Sequence, residues 1–360
     1  MKKLAKIWNG RKGKAVRRYL TITFGMLTVL TFFAPSKATA DFWSAFGVLR
    51  IIVMLIFLGL LLSYNIHSDL FKKFDSMSKS AKVLSIVVPV IVLIFVIIQA
   101  AWPDFAVWLA RCDDMKKCGV NFRHFIFIKA AFELIALVIL VGLFIKFARA
   151  KQALPSIVLG FLALVVFMMA GEELSWGQRI FDWATPDSFR QLNAQHEMNL
   201  HDMATQLFQN SWYFGCWLLL VLLPFFRSQI AKFLQKFKKL AFLSDFLPPA
   251  YFVLIFAAAY GLVDPLAAET GVRYSSILFS VLGTAAILIY AVIRARGHLA
   301  EHLTLTLGVF AIALFFNLLF SDTWNKNSGV PTEYLELFIS FGIMLWTIYL
   351  KKHLKIKDKN

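Results

Sequence analysis

Charge is sparse in this chain and acid sparser still: of 360 residues 16% are charged, with 21 Asp and Glu set against 38 Lys and Arg. A soluble globular domain carries about a quarter of its residues as charges, so that class is excluded. Cysteine is nearly absent, at 3, and neither a CxxC nor a Cys/His zinc pattern occurs. A disulfide-stapled scaffold and a structural zinc module are thereby excluded. The HExxH string of zincin-type metalloproteases is missing. There is also no low-complexity tract and no repeat at periods of about 20 to 50 residues, which excludes a solenoid.

What fills the chain is apolar. Hydrophobic residues make up 59% and the mean hydropathy is +0.68. Crossing a hydrocarbon core of about 30 Å takes about 20 helical residues. Runs of that order lie at roughly 19 to 35, 43 to 64, 81 to 102, 124 to 148 and 153 to 171. Five more lie at roughly 211 to 227, 247 to 263, 275 to 295, 303 to 320 and 334 to 350. Their continuity speaks for helices, since barrel strands alternate over only about 10 residues. The expected fold is an all-α polytopic transmembrane helix bundle of about ten spans, with 1–360 forming a single integral membrane domain.

The basic residues sort by side. Threading the spans from a cytoplasmic N-terminus puts 27 of the 38 Lys and Arg, but only five acids, in the loops of that side. That is the positive-inside pattern, and it predicts an inner (cytoplasmic) membrane protein with N-terminus and C-terminus both cytoplasmic. It also accounts for the net charge of +17 without nucleic acid, because the charge is scattered over juxtamembrane loops that meet anionic lipid headgroups. Residues 1–40 combine a basic N-terminus and an apolar first span with Ala38-Thr39-Ala40, a possible signal anchor read here as uncleaved. Cys112 and Cys118 fall in an outer loop, where they either form a bridge or stay free, while Cys216 lies inside a span. The inner loop Ser228 to Phe246 places Ile230, Phe233, Leu234 and Phe237 on one face among lysines, the pattern of an interfacial amphipathic helix. His298 and His302, in GHLAEH, read as headgroup-level loop residues.

One long polar passage interrupts the middle of the chain. The outer polar segment, 171–210, begins GEELSWGQR and carries the candidate site. Glu172 and Glu173 end a span, Gln178 and Arg179 offer donors to an anion or to a glutamate, and Trp176 and Trp183 suit the interface as anchors. Thr185-Pro186-Asp187 reads as a helix start, and an outer-face amphipathic helix over about 186 to 208 follows. On its polar face Glu197 and His201 stand four apart, as two ligands to one metal would. Three arrangements answer to this set. One is a hydrogen-bonded cap of Glu, Arg, Asn and His; another is a divalent metal held by Glu173, Glu197 and His201; the last is a metal-free acid/base or anion site. Further acids gather on the same side: Glu133 with Lys129 one turn before it, an expected ion pair; Asp264, Glu269 and Asp322; and Glu333 with Glu336, the latter about a turn inside the last span.

The strings GEELSWGQR and NAQHEMNLH resemble the signature of a family of uncharacterised bacterial multi-pass membrane proteins marked by GEExSWGQR and NxQxExNLH. The matching positions are Gly171, Glu172, Glu173, Ser175, Trp176, Gly177, Gln178 and Arg179, then Asn193, Gln195, Glu197, Asn199, Leu200 and His201. The resemblance implies a bacterial source and marks these residues as the family's own, without bringing a reaction. Paired glutamates at a span end are also similar to CAAX-type intramembrane proteases. Gly177 stands where those place Arg, and their FxxxH and HxxxN elements are not found, so that assignment is rejected.

Three functions follow as expectations. The first is a metal-dependent or carboxylate-driven hydrolase or transferase acting on a lipid or lipid-linked substrate at the outer leaflet, with Glu172, Glu173, Gln178 and Arg179 as its catalytic group. The alternative is a transporter or flippase using intramembrane Lys129, Glu133 and Glu336. A non-catalytic scaffold is a third. Membrane lipids are the expected partners in each.

Overall fold

The computed structural model describes residues 45–62, 74–111, 124–181, 183–187, 212–262, 271–325 and 330–356, with positions 16, 19–21, 23, 24, 70 and 71. Among the described residues there is helix and turn but no strand, as expected where each backbone polar group must be satisfied inside lipid. The longer elements are α1 (Ala45–Leu62), α2 (Lys79–Ala101), α3 (Pro103–Arg111), α4 (His124–Arg149) and α5 (Ala153–Glu173). Then follow α6 (Trp212–Phe225), α7 (Arg227–Leu234), α8 (Phe252–Leu262), α9 (Gly271–Arg294), α10 (His298–Asn325) and α11 (Val330–His353).

Five of these, α2, α4, α5, α10 and α11, are long and apolar enough to cross a membrane, and α6 with α7 makes a sixth if that pair is one span bent by 88°. The ten expected spans therefore reduce, among the described residues, to five or six. The 247 to 263 run is the clearest departure. It forms only α8, too short at about 1.5 Å per residue to cross a core of about 30 Å. The 211 to 227 run likewise ends in a sharp bend, at Phe226. The Cys112/Cys118 loop, Asp264 and Glu269 lie outside the described residues, as do most of the first span and most of the helix expected over 186 to 208.

α4 and α5 form an antiparallel hairpin joined by a turn in which Lys151 takes φ 54°. Their outer sides stay bare: Val138, Ile157, Phe161 and Leu164 are exposed, the arrangement of side chains that face lipid rather than water. The other side of α4 lies along α11, and α11 is buried along most of one face. α2 is capped by Ser78, which accepts from Ala81 N at 3.2 Å, and it carries Pro89 in its interior. The ring removes one backbone bond, a loss that membrane helices tolerate when neighbours surround them.

α8 sits at the centre, and every residue from Phe252 to Leu262 is buried. A helix apolar all round has no face for solvent. It begins as α-helix and tightens to 3-10 at Ala257, and α10 supplies the polar atoms that this change requires. Thr306 Oγ1 donates to the Leu254 carbonyl at 3.2 Å, and Asn317 Nδ2 donates to the Gly261 carbonyl at 3.0 Å. The two helices approach so closely that a Cβ on Gly261 would collide with the Phe310 carbonyl oxygen and meet the Ala313 Cβ at 3.0 Å. Beside α8, Trp217 of α6 is wholly buried and donates its indole N–H to Thr284 of α9 at 2.9 Å.

Charge separates the two ends of the bundle. Lys79 and Lys82 open α2, Lys146 and Arg149 close α4, Arg294 closes α9, and Lys351 and Lys352 close α11. Arg227 donates to Tyr349 Oη at 3.1 Å and His302 Nδ1 lies 2.8 Å from Ser85 Oγ, which ties these basic termini together. His298 and His302 belong to the first turns of α10, not to a loop, and His298 pairs with Glu301 at 3.1 Å. α7 continues only to Leu234, after which turns and a 3-10 segment (Ala241–Phe246) complete the loop expected to be one amphipathic helix. Its Phe233 and Phe237 are exposed.

Candidate functional site

At the other end, α5 finishes while α4 and α11 begin, and there the acids converge on one base. Lys129, in the second turn of α4, is 2% exposed. Its Nζ lies 3.0 Å from Glu173 Oε2, the last residue of α5, and 2.9 Å and 2.6 Å from Glu333 Oε2 and Glu336 Oε2 on α11. An ammonium has three N–H donors, and three carboxylates match them. Glu336 also accepts from the Tyr213 hydroxyl of α6 at 2.5 Å, so one carboxylate joins α4, α6 and α11.

Glu133 stands one turn further along α4, and the expected Lys129–Glu133 ion pair does not form. The ammonium's donors are directed to the three other glutamates. Glu133 Oε1 instead accepts from Ser340 Oγ of α11 at 2.8 Å. Its Oε2 is buried without a hydrogen-bond partner. The pattern is one of matched faces: Lys129 and Glu133 at a spacing of four on α4, against Glu333, Glu336 and Ser340 at spacings of three and four on α11.

The GEELSWGQR stretch forms the adjoining rim. Ser175, Trp176 and Gly177 take φ 45°, 52° and 91° in succession. Left-handed backbone costs a non-glycine residue about 1–2 kcal/mol, so Ser175 and Trp176 hold strain that their surroundings must impose. Those surroundings are visible. Trp176 folds back over α5, where a Cβ on Gly171 would come within 2.9 Å of its ring, and its indole N–H donates to Glu172 Oε1 at 2.8 Å. Gln178 Nε2 donates to Thr185 Oγ1 at 2.6 Å, closing the segment back on itself. Trp176 therefore packs inward, while Trp183 is exposed and stacks on Phe181 at 5.1 Å.

Of the residues singled out from sequence, Glu173 reaches the Lys129 centre, whereas Glu172 and Gln178 serve the turn. Arg179 belongs to the short helix Gln178–Phe181, with its side chain outside the described residues, as are Glu197 and His201. Among the described residues no three His, Cys, Asp or Glu side chains stand as a metal would need them. Lys129, Glu133, Glu333 and Glu336 were visible as scattered acids and one base; that they form one centre was not. Cys216 is free and buried in α6.

No family model, no curated protein and no solved structure matches the chain. The site's own geometry is thus the basis for function.

Proposed function

We propose that this multi-pass membrane protein is a transporter or flippase for a lipid or lipid-linked substrate, and that it opens and closes where Lys129 ties α5 and α11 to α4. The observation that carries the reading is the set of three carboxylates, from two neighbouring helices, within 3.0 Å of one buried ammonium. Ionisable groups at such depth are costly and mark substrate or ion pathways. A contact made of charge can also be undone by charge. An anionic headgroup that takes the ammonium, or a proton that takes a carboxylate, removes the charge contacts between these helices. The discontinuous elements support the same reading, since α6 bends by 88° into α7 and α8 changes helix type within the protein interior. Broken helices of this kind surround the binding sites of many transporters.

In this reading the basic ends face the cytoplasm of a bacterial cell, both termini are inside, and the Lys129 centre opens outward. Membership of the family marked by GEExSWGQR and NxQxExNLH belongs to the same proposal.

A second reading is favoured by the strained turn beside Glu172 and Glu173, because strain of this sort gathers at catalytic sites. It makes the protein a hydrolase or transferase on a lipid-linked substrate. Glu173, Glu197 and His201 would hold a divalent metal, Glu172 would act as base, and Gln178 and Arg179 would hold the headgroup.

Proteoliposomes carrying a fluorescent phospholipid, read by quenching of the outer leaflet, separate the two. Transport requires translocation above that of protein-free vesicles and its loss in folded Lys129→Met. Translocation no faster than in protein-free vesicles would sink the transport reading, equal translocation by that variant would remove Lys129 from it, and conversion of the lipid to a new product would favour the enzyme.

A further inference from the structure

We propose that Glu133 is a proton-binding site, the acid that takes up and releases a proton at the Lys129 end of the bundle. Three observations converge on it. Its side chain is 1% exposed, deeper than the three glutamates that meet Lys129, which are 17%, 21% and 22% exposed. One oxygen is fixed by Ser340 at 2.8 Å, and the other is buried with no hydrogen-bond partner. The titratable groups around it come from several elements: Lys129 one turn back on α4 itself, Glu173 from α5 and Glu336 from α11 held on that ammonium, and the buried Cys216 of α6.

The chemistry points to a proton over a metal cation. A sodium or magnesium ion needs a shell of several oxygens, and Glu133 offers one open carboxylate oxygen. A proton needs only that oxygen. Glu173 and Glu336 are 21% and 22% exposed, and Glu133 stands one turn further along α4 than the Lys129 they meet. The step is simple in its balance: a proton from water adds to Oε2 to give the neutral acid, and it returns to water when the acid ionises. The Tyr260 hydroxyl of α8 is likewise buried with no hydrogen-bond partner.

Only the coupling of this proton to movement of a substrate rests on the transport reading; the binding of the proton does not. Infrared difference spectroscopy of the full chain in lipid nanodiscs, stepped in pH, reads the acid directly. A carbonyl band of a protonated carboxyl should titrate in the wild type and vanish in Glu133→Gln, while Glu301→Gln at the opposite end keeps it. Ser340→Ala, which removes the hydrogen bond to Oε1, should move the same band to higher frequency, and this holds the test open if Glu133→Gln fails to fold. An unchanged band in either folded variant, or a band that answers to sodium and not to pH, overturns the proposal. A band lost in Glu133→Gln together with no lipid translocation would leave the proton site standing and remove the transporter.

Discussion

Replacing Lys129 by methionine keeps the length and apolar stem of the side chain and deletes only the ammonium. At about 3 Å and an effective dielectric of about 20, each of its three carboxylate contacts is worth roughly 5 kcal/mol before costs. Desolvation of the ions and the mutual repulsion of Glu173, Glu333 and Glu336 cancel most of that. What remains is the penalty for breaking a buried pair by removing one partner, about 3–5 kcal/mol. The carboxylates are 17–22% exposed, so water reaches them and the lower figure, about 3 kcal/mol, is expected. The assay is reversible unfolding in mixed micelles titrated with sodium dodecyl sulfate, followed by tryptophan fluorescence. A double-mutant cycle sharpens it. Lys129→Met and Glu336→Gln should together cost less than the sum of the two alone, by about 1–3 kcal/mol, because removing one carboxylate relieves the repulsion that the missing ammonium leaves behind. Lys129→Met within about 1 kcal/mol of wild type, with additive behaviour in the cycle, would refute the view that this centre holds α4, α5 and α11 together.

Gly261→Ala should be among the most damaging single substitutions, costing about 2–3 kcal/mol or preventing folding in the same titration, since its Cβ would collide with the backbone oxygen of Phe310. Lys151→Gly should stabilise by about 0.5 kcal/mol, because φ 54° at an exposed turn is strained for lysine and free for glycine; thermal unfolding of the α4–α5 hairpin region, read by hydrogen exchange, checks it. Trp217→Phe keeps a ring in the buried slot but leaves Thr284 without its donor, and should cost about 1–2 kcal/mol, measured by the same fluorescence-independent exchange.

Long continuous spans were legible in the sequence because length and apolarity alone decide them. The runs at 81 to 102, 124 to 148 and 153 to 171 emerge as α2, α4 and α5 with ends displaced by a few residues at most. The run at 247 to 263 is equally apolar, yet it yields a short central helix. Pro248 and Pro249 delay its start, and Ala257, Ala258, Ala259 and Gly261 let α10 press against it. Apolarity says that a segment avoids water, not whether it meets lipid or protein. The Lys129 centre was half legible for a related reason. A spacing of four on one helix is visible in a sequence, and it suggested Glu133 as the partner. The register that brings Glu333 and Glu336 alongside α4 depends on how two distant helices pack. Of the GEELSWGQR turn, only the glycines could hint at the geometry; that Ser175 and Trp176 share the left-handed conformation with Gly177 was beyond reach of composition.

The packing of helices in lipid gives the polar centre its weight. Between α4 and its neighbours there is little hydrophobic drive, because lipid tails are as apolar as Leu140 or Phe161, and association depends on close contact and on polar bonds. Along their apolar lengths α4, α5 and α11 can slide or separate at small cost, with lipid filling the space. At Lys129 separation costs more, since it leaves an ammonium or a carboxylate without its partner. One end of the three-helix unit is therefore held by directional, charge-dependent contacts and the rest by contacts that lipid can replace. Among the described residues, Lys129 with its three glutamates is a point at which a change of charge removes contacts between helices.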